Sequence, residues 1–228
     1  MIFSIIIPIY NESENIRDLI LEIENNLTYN NYEIIVVNDC STDNSIEVLN
    51  KINSNKIKII NLRKRLGQSH AILSGIKNSK SSTIITIDGD GQNDPKDIQN
   101  LFDIYNNSNY FLVGGLRIGR KDNFIKKISS NIANKFRMLV LSDDCKDTGC
   151  GLKIFDKKIF LSFEFFNGIH RFLPALYKGY GFNTFFTSVN HRPRIKGMSK
   201  YGTFKRLIYG LRDIMHVKKI IKGYKSKN

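Results

Sequence analysis

Short β-branched runs alternate with apolar residues at helical spacing through the first half of the chain, and this alternation leaves few architectures open. The runs Phe3–Ile7, Glu33–Val37, Lys58–Ile60 and Thr83–Ile87 are rich in Ile and Val, and Tyr110–Val113 is aromatic and aliphatic. Between the first two, Ile16, Leu19, Ile20, Ile23 and Leu27 recur at helical spacing, with Ser13 placed to cap them. Thr42 precedes a second helical pattern with Ile46, Leu49 and Ile52. Ala71, Leu73 and Ile76 mark a third after Gly67, and Ile98, Leu101, Phe102 and Tyr105 a fourth after Asp94-Pro95. A strand that is apolar along its whole length must be covered on both faces. The pattern therefore predicts an α/β fold, a mostly parallel central sheet flanked by helices. At 228 residues one domain with a substantial core is expected. We place it at residues 1–202, including an amphipathic helix at about 123–141, and a basic amphipathic helix and tail at 203–228.

Sheets of this kind bind ligands beyond the carboxyl ends of their strands. Pro8, Tyr10, Asn11 and Glu12 are expected to follow the first strand, Asn38 and Asp39 the second, Asp88 and Asp90 the fourth, and Gly114, Gly115 and Arg117 the fifth. All would then gather at one edge. The stretch ITIDGDGQNDP puts Asp88, Asp90 and Asp94 close together where a strand has just ended. No GxGxxG follows the first strand and no GxxxxGK[ST] occurs, which excludes a dinucleotide fingerprint and a P-loop. Asp88 and Asp90 offer hard oxygen ligands suited to Mg²⁺ or Mn²⁺, with Gly89 and Gly91 allowing a tight turn. A hydrogen-bonded turn without metal is the structural alternative. Asp94, ahead of Pro95 and a helix, reads as a cap or turn residue.

Net charge is +14, and it is concentrated. From Arg192 onward twelve Lys or Arg residues face one acid, Asp213. Such a tail implies an anionic partner, a phospholipid surface or nucleic acid. The tail lacks the interleaved aromatics of a base-stacking platform, which disfavours nucleic acid. Ile125, Ile128, Ile132, Phe136 and Leu139 line one helical face, with Lys126, Lys127, Lys135 and Arg137 around it. From Thr203, Phe204, Leu207, Ile208, Leu211, Ile214 and Met215 form a second stripe beside Lys205, Arg206, Arg212, Lys218 and Lys219, and this helix is expected to lie in a membrane interface. No apolar stretch approaches the ~20 residues needed to span a bilayer. Met1 leads straight into IFSIIIPIY, which reads as a first strand and not as a signal peptide. Cys40, Cys145 and Cys150 form no CxxC pair and are expected as free thiols. His170 with Arg171, and His191 with Arg192 and Arg194, form two cationic groups without zinc-ligand spacing. Arg117, Arg192 and Arg194 are expected to meet phosphate through forked bonds.

IIIPIYNE, IIVVNDCSTDNS, LRKRLGQSHAILSGI, IDGDGQNDP, VGGLR, DTGCGLKIF, GIHRFLPAL, HRPR and GMSKYG follow one another along almost the whole chain. In these segments the chain resembles the inverting family-2 glycosyltransferases of the GT-A fold. The resemblance is above all to the branch similar to dolichyl-phosphate mannosyltransferase and its bacterial polyprenyl-phosphate relatives. It implies that Pro8, Tyr10, Glu12 and Asp39 surround the nucleotide of a nucleotide diphosphate sugar. Asp88, Asp90 and Gln92 would hold the metal. Arg117 would meet the phosphate of a polyprenyl phosphate acceptor, with Lys126 and Lys127 as loosely matched helpers. Arg192, Arg194, Ser199 and Lys200 would belong to a loop closing over the donor, and Asp147 would lie near the transferred sugar. GDG in place of the more frequent alanine-containing DAD keeps both carboxylates. Many relatives carry transmembrane helices after the catalytic domain. This chain is accordingly expected to act peripherally at the cytoplasmic face of a membrane, alone or with a separate membrane protein. The alternatives are transfer to a hydroxyl with Asp147 as base, a protein that keeps the fold without catalysis, and a non-enzymatic protein binding anionic surfaces or nucleic acid.

Overall fold

The structure is a computed structural model that describes residues 1–118, 134–193 and 203–226, with side chains in the last segment from residue 210 onward. Seven strands form one sheet: β1 Phe3–Ile9, β2 Tyr32–Asn38, β3 Ile57–Asn61, β4 Thr83–Thr86, β5 Leu112–Ile118, β6 Lys153–Asp156 and β7 Thr184–Asn190. Their order across the sheet is β3-β2-β1-β4-β6-β5-β7. Only β6 runs against its neighbours. The helices are α1 Ile16–Asn26, α2 Ser45–Asn50, α3 Gln68–Lys77, α4 Asp97–Asn106, α5 at 134–141, α6 Lys157–Ser162, α7 Leu173–Gly179 and α8 Thr203–Lys225.

The predicted sheet forms because its central strands are apolar on both sides. Ile5 and Ile7 of β1 join Ile34 and Val36 of β2 beneath α1 and α4, through Ile16, Leu19, Ile20, Ile98 and Leu101. Ile6, Ile35, Val37 and Ile84 face the other way, under Ala71, Ile72 and Ile76 of α3 and Leu173, Leu176 and Tyr177 of α7. The same second core takes Ile214, Val217 and Ile220 of α8. Leu211 and Met215 of that helix, expected in one stripe with Ile214, stay outside at 45% and 51% exposure. No helix among the described residues is long and apolar enough to cross a membrane. All three cysteines are free thiols.

Several sequence expectations need correction. Gly114, Gly115 and Arg117 do not follow β5 but lie inside it, because β7 pairs alongside from Leu112↔Thr184 to Ile118↔Asn190. Gly115 permits that closeness: a Cβ there would come within 2.7 Å of Val189 and 3.0 Å of the Cys150 sulfur. Pro8 and Asn38 likewise close β1 and β2 from within. Pro8 stands beyond Ile6, the last residue of β1 paired with β4, so its missing N–H breaks no ladder on that side. Ser13 does not cap α1. The Glu12 carbonyl accepts the N–H groups of Asn15 and Ile16, each at 3.0 Å, and Ser13 gives its own N–H to Asp43. Asp94 is the expected turn residue: its carboxylate accepts the N–H of Lys96 at 3.1 Å.

Candidate active site

The loops after β1 and β2 lie side by side at the expected edge. Asn11 and Cys40 adopt positive φ values of 55° and 62°, turning the chain sharply at each strand end. The Asn11 side chain accepts the Thr42 N–H at 2.8 Å, and the Asn11 N–H donates to Ser41, which joins the two loops. Glu12 is buried and accepts from the Asn15 amide at 2.8 Å. The Asp39 carboxylate, 4% exposed, accepts the N–H groups of Leu66 and Gly67 at 2.7 and 2.8 Å. It thereby fixes the loop that leads into α3. Arg65 of that loop lies over the Tyr10 ring, 3.8 Å from its centroid, a cation–π contact.

Asp88 and Asp90 stand just past β4, where the Ile87 N–H still reaches the Ile6 carbonyl. Gly89 lies against the end of β1, since a Cβ there would come within 2.7 Å of Ile9. Gly151, entering β6, lies directly over Asp88: a Cβ would meet its carboxyl atoms at 2.3 to 2.5 Å. Gln68, the first residue of α3, donates its side-chain amide to Asp88 Oδ1 at 2.8 Å. Burial first, and then the charge of Asp90, push the Asp88 carboxyl up to about 6. Lys153, Arg117 and the Gln68 bond pull it the other way. Two close carboxylates of which one is costly to ionise fit a divalent cation, and their oxygens suit Mg²⁺ or Mn²⁺. Among the described residues no three His, Cys, Asp or Glu side chains gather. Two carboxylates would thus leave much of the ion's shell to ligand oxygens and water. Gln92 is near, but its amide lies 3.5 Å from His191 Nε2 and 3.4 Å from the Arg192 carbonyl.

Arg117 reaches the same edge from the end of β5. Its Nε and Nη2 donate to the two oxygens of Asp147, both at 2.7 Å, in a forked pair whose side chains are 15% and 13% exposed. Arg192 pairs with Glu22 at 2.6 Å and with Asp94 at 2.8 Å, while its N–H joins the Gln92 carbonyl at 2.8 Å. The segment after β7 is thus tied to the turn that carries the aspartates. Lys126, Lys127, Arg194, Ser199 and Lys200 lie outside the described residues. Sequence reasoning did not single out Gln68, Gly151 or Lys153. Lys153 is 3% exposed in β6, and its ammonium donates to the carbonyls of Thr148 and Cys150, which shapes the turn between Asp147 and Gly151. A lysine inside LKIF gave one sign, a charge within an apolar strand; nothing in the sequence pointed to the other two.

A family model described as Glycosyl transferase family 2 matches residues 4–162, which take in both aspartates, Arg117 and Asp147. The chain belongs to glycosyl transferase family 2. Among similar family members is a dodecaprenyl-phosphate galacturonate synthase of Rhizobium johnstonii, 32% identical over 93% of this chain and 66% of that protein. An undecaprenyl-phosphate 4-deoxy-4-formamido-L-arabinose transferase of Yersinia enterocolitica is 33% identical over 91% of this chain and 65% of its own length. The chain thus spans just under two thirds of the length of these relatives. Among solved structures, it is similar to glucosyl-3-phosphoglycerate synthase from Mycobacterium tuberculosis in complex with Mn²⁺, UDP and phosphoglyceric acid. That likeness has a TM-score of 0.69 and 14% identity, covering 95% of this chain and 76% of the other. Mannosyl-3-phosphoglycerate synthase from Rubrobacter xylanophilus gives 0.70 and 12%, over 98% and 75%. These likenesses carry the fold, which is the GT-A arrangement.

Proposed function

We propose that this family-2 member transfers a sugar, with inversion, from a nucleotide diphosphate sugar to a polyprenyl phosphate at a membrane surface. The observation that most favours a phosphate acceptor is the fork between Arg117 and Asp147. A hydroxyl acceptor needs a base, and a carboxylate with both oxygens committed to a guanidinium is a poor one. A phosphate is already anionic near neutral pH and needs only to be held. Arg117 can hold it, because Asp147 takes its Nε and Nη2 while Nη1 makes no hydrogen bond to a described residue. The two relatives named for lipid-phosphate transfers support the same acceptor class.

On this reading Asp88 and Asp90 hold Mg²⁺ or Mn²⁺, which when bound supplies Lewis-acid neutralisation of the departing diphosphate. Gln68 and Gly151 keep the Asp88 carboxylate in position. Tyr10, Glu12, Pro8 and the loop anchored by Asp39 form the wall on the nucleotide side, with Arg65 on the Tyr10 face. Arg117 holds the attacking phosphate, and Asp147 fixes the guanidinium plane. Lys126, Lys127, Arg194, Ser199 and Lys200 complete the acceptor and donor loops in this reading. The basic C-terminal segment meets anionic lipid, which keeps the protein at the cytoplasmic face, with or without a membrane partner.

The test is incubation of the purified protein with Mn²⁺ or Mg²⁺, a panel of nucleotide sugars and short polyprenyl phosphates, read by mass spectrometry. A lipid-linked sugar should form with at least one donor. Asp88→Asn and Asp90→Asn should each lower turnover by about 100-fold or more, as loss of a main electrostatic group does. Product on hydroxyl acceptors alone would overturn the acceptor, and metal-independent turnover would overturn the role of the aspartates.

A further inference from the structure

His170 lies in the short 3₁₀ turn Ile169–Arg171 ahead of α7, packed against the start of α3. Its Nδ1 is 2.7 Å from the hydroxyl oxygen of Ser69. That oxygen also accepts the Gly168 N–H at 2.8 Å. Ser69 is 2% exposed, so its own proton needs an acceptor, and Nδ1 is the acceptor within reach. Nδ1 therefore accepts, and the ring proton sits on Nε2. Nε2 makes no hydrogen bond to a described residue, although the residue is half-buried. The result is a fixed N–H donor with no acceptor among the described residues. Its location is specific: Gln68, the neighbour of Ser69, donates to Asp88. Lys153 acts electrostatically on both Asp88 and His170. Burial, with the charges of Arg171 and Lys153, pushes the imidazole down to about 3, so the ring stays neutral at working pH.

We propose that His170 is a substrate-contacting residue whose Nε2–H donates a hydrogen bond to an oxygen of the transferred sugar, oriented from behind by the Ser69 hydroxyl. A neutral donor suits an uncharged sugar oxygen, whereas the diphosphate is met by the ion and by cationic side chains. The assignment rests on the reading of this edge as a nucleotide-sugar site, but not on the identity of the acceptor.

The experiment compares the full chain with His170→Leu, His170→Gln and Ser69→Ala in the presence of Mn²⁺. Calorimetry reads the affinity for the nucleoside diphosphate, and release of that diphosphate from the nucleotide sugar reads turnover, by transfer or by hydrolysis. His170→Leu should lower kcat/KM for the donor about 10- to 100-fold, the effect of losing one good hydrogen bond. Its affinity for the nucleoside diphosphate should stay within about twofold. His170→Gln, which keeps an N–H donor at similar reach, should recover most of the loss. Ser69→Ala, which frees the ring to change tautomer, should fall between. Melting curves check that each variant folds; where His170→Leu does not, the Gln and Ala variants carry the comparison. Turnover of His170→Leu equal to wild type would overturn the proposal. So would a parallel fall in diphosphate affinity, or a Gln variant no better than Leu. Wild-type protein that binds no nucleotide sugar would overturn the reading of the site itself, and the assignment with it.

Discussion

Asp88 and His170 impose opposite pH dependences on the stability of the metal-free protein. The Asp88 carboxyl rises from 3.8 to about 6 on folding, so the fold holds its proton more tightly than the unfolded chain does. That contribution is fully present below pH 3.8 and is lost as pH rises through about 6. It amounts to at most about 3 kcal/mol. His170 falls from 6.5 to about 3, so its contribution is present above pH 6.5 and is lost as pH falls toward 3. Thermal melts of metal-free protein should separate the two. Asp88→Asn should raise Tm at pH 7.5 and leave it nearly unchanged at pH 4. His170→Gln should raise Tm at pH 4.5 and not at pH 7.5. Mn²⁺ should raise the wild-type Tm at pH 7.5 and not that of Asp88→Asn. A wild-type Tm at pH 7.5 that Asp88→Asn fails to exceed would contradict the burial and like-charge account of the carboxyl.

Among the elements, α5 carries a link of its own. Arg137 and Asp143, with side chains 4% and 1% exposed, pair through two bonds of 3.0 Å, and the guanidinium also reaches the Cys145 carbonyl. Asn134 of α5 donates to the Lys146 carbonyl at 3.0 Å. Together these bonds set the path of the chain into Asp147, and so the position of Arg117. Arg137→Met should cost about 3–5 kcal/mol, because it leaves Asp143 buried and unpaired. Arg137→Met combined with Asp143→Leu should cost clearly less, as measured by urea unfolding. A double variant no more stable than the single one would mean that the pair is not what holds this turn. How far these features were legible differs by element. β1, β2 and β4 sit in Ile- and Val-rich runs apolar on both faces, and such runs announce themselves. β6 does not: it has four residues, begins with the buried Lys153, and runs antiparallel within a parallel sheet. Its place follows from pairing with β4 and β5, which local periodicity cannot encode. The end of β5 was hidden for a related reason, since Gly114 and Gly115 resemble a loop until β7 lies beside them. In the site, the two aspartates were visible as a motif. The residues that tune Asp88, namely Gln68, Gly151 and Lys153, come from other segments and meet it only in the fold.

At the scale of the whole molecule, α8 joins the excess positive charge to the second core. Val217 is fully buried there, with Ile214 and Ile220 on the same side. Gly179 lets α7 and α8 approach, because a Cβ on it would fall within 2.6 Å of Ile221. Tyr180 and Tyr224 stack with ring centroids 3.6 Å apart, and Arg171 pairs with Asp213 at 3.0 Å. The opposite face carries Leu211 and Met215 with Arg212, Lys218, Lys219 and Lys222. One face serves stability, and on the proposed reading the other meets an anionic surface, so substitutions should separate the two roles. Val217→Ser should lower stability by about 2–3 kcal/mol through lost burial and an added buried hydroxyl. Leu211→Ser combined with Met215→Ser should change stability by less than about 1 kcal/mol, as exposed substitutions do. The same pair should weaken partition onto vesicles containing anionic lipid by about tenfold or more, since each side chain entering the interface contributes transfer free energy. Raising salt should weaken the wild type further by screening the lysines. Sedimentation with vesicles of neutral and anionic lipid measures both effects. If the double serine variant partitions as wild type does, the outer face of α8 is not the surface that meets lipid, and the charge of this segment must serve another anion.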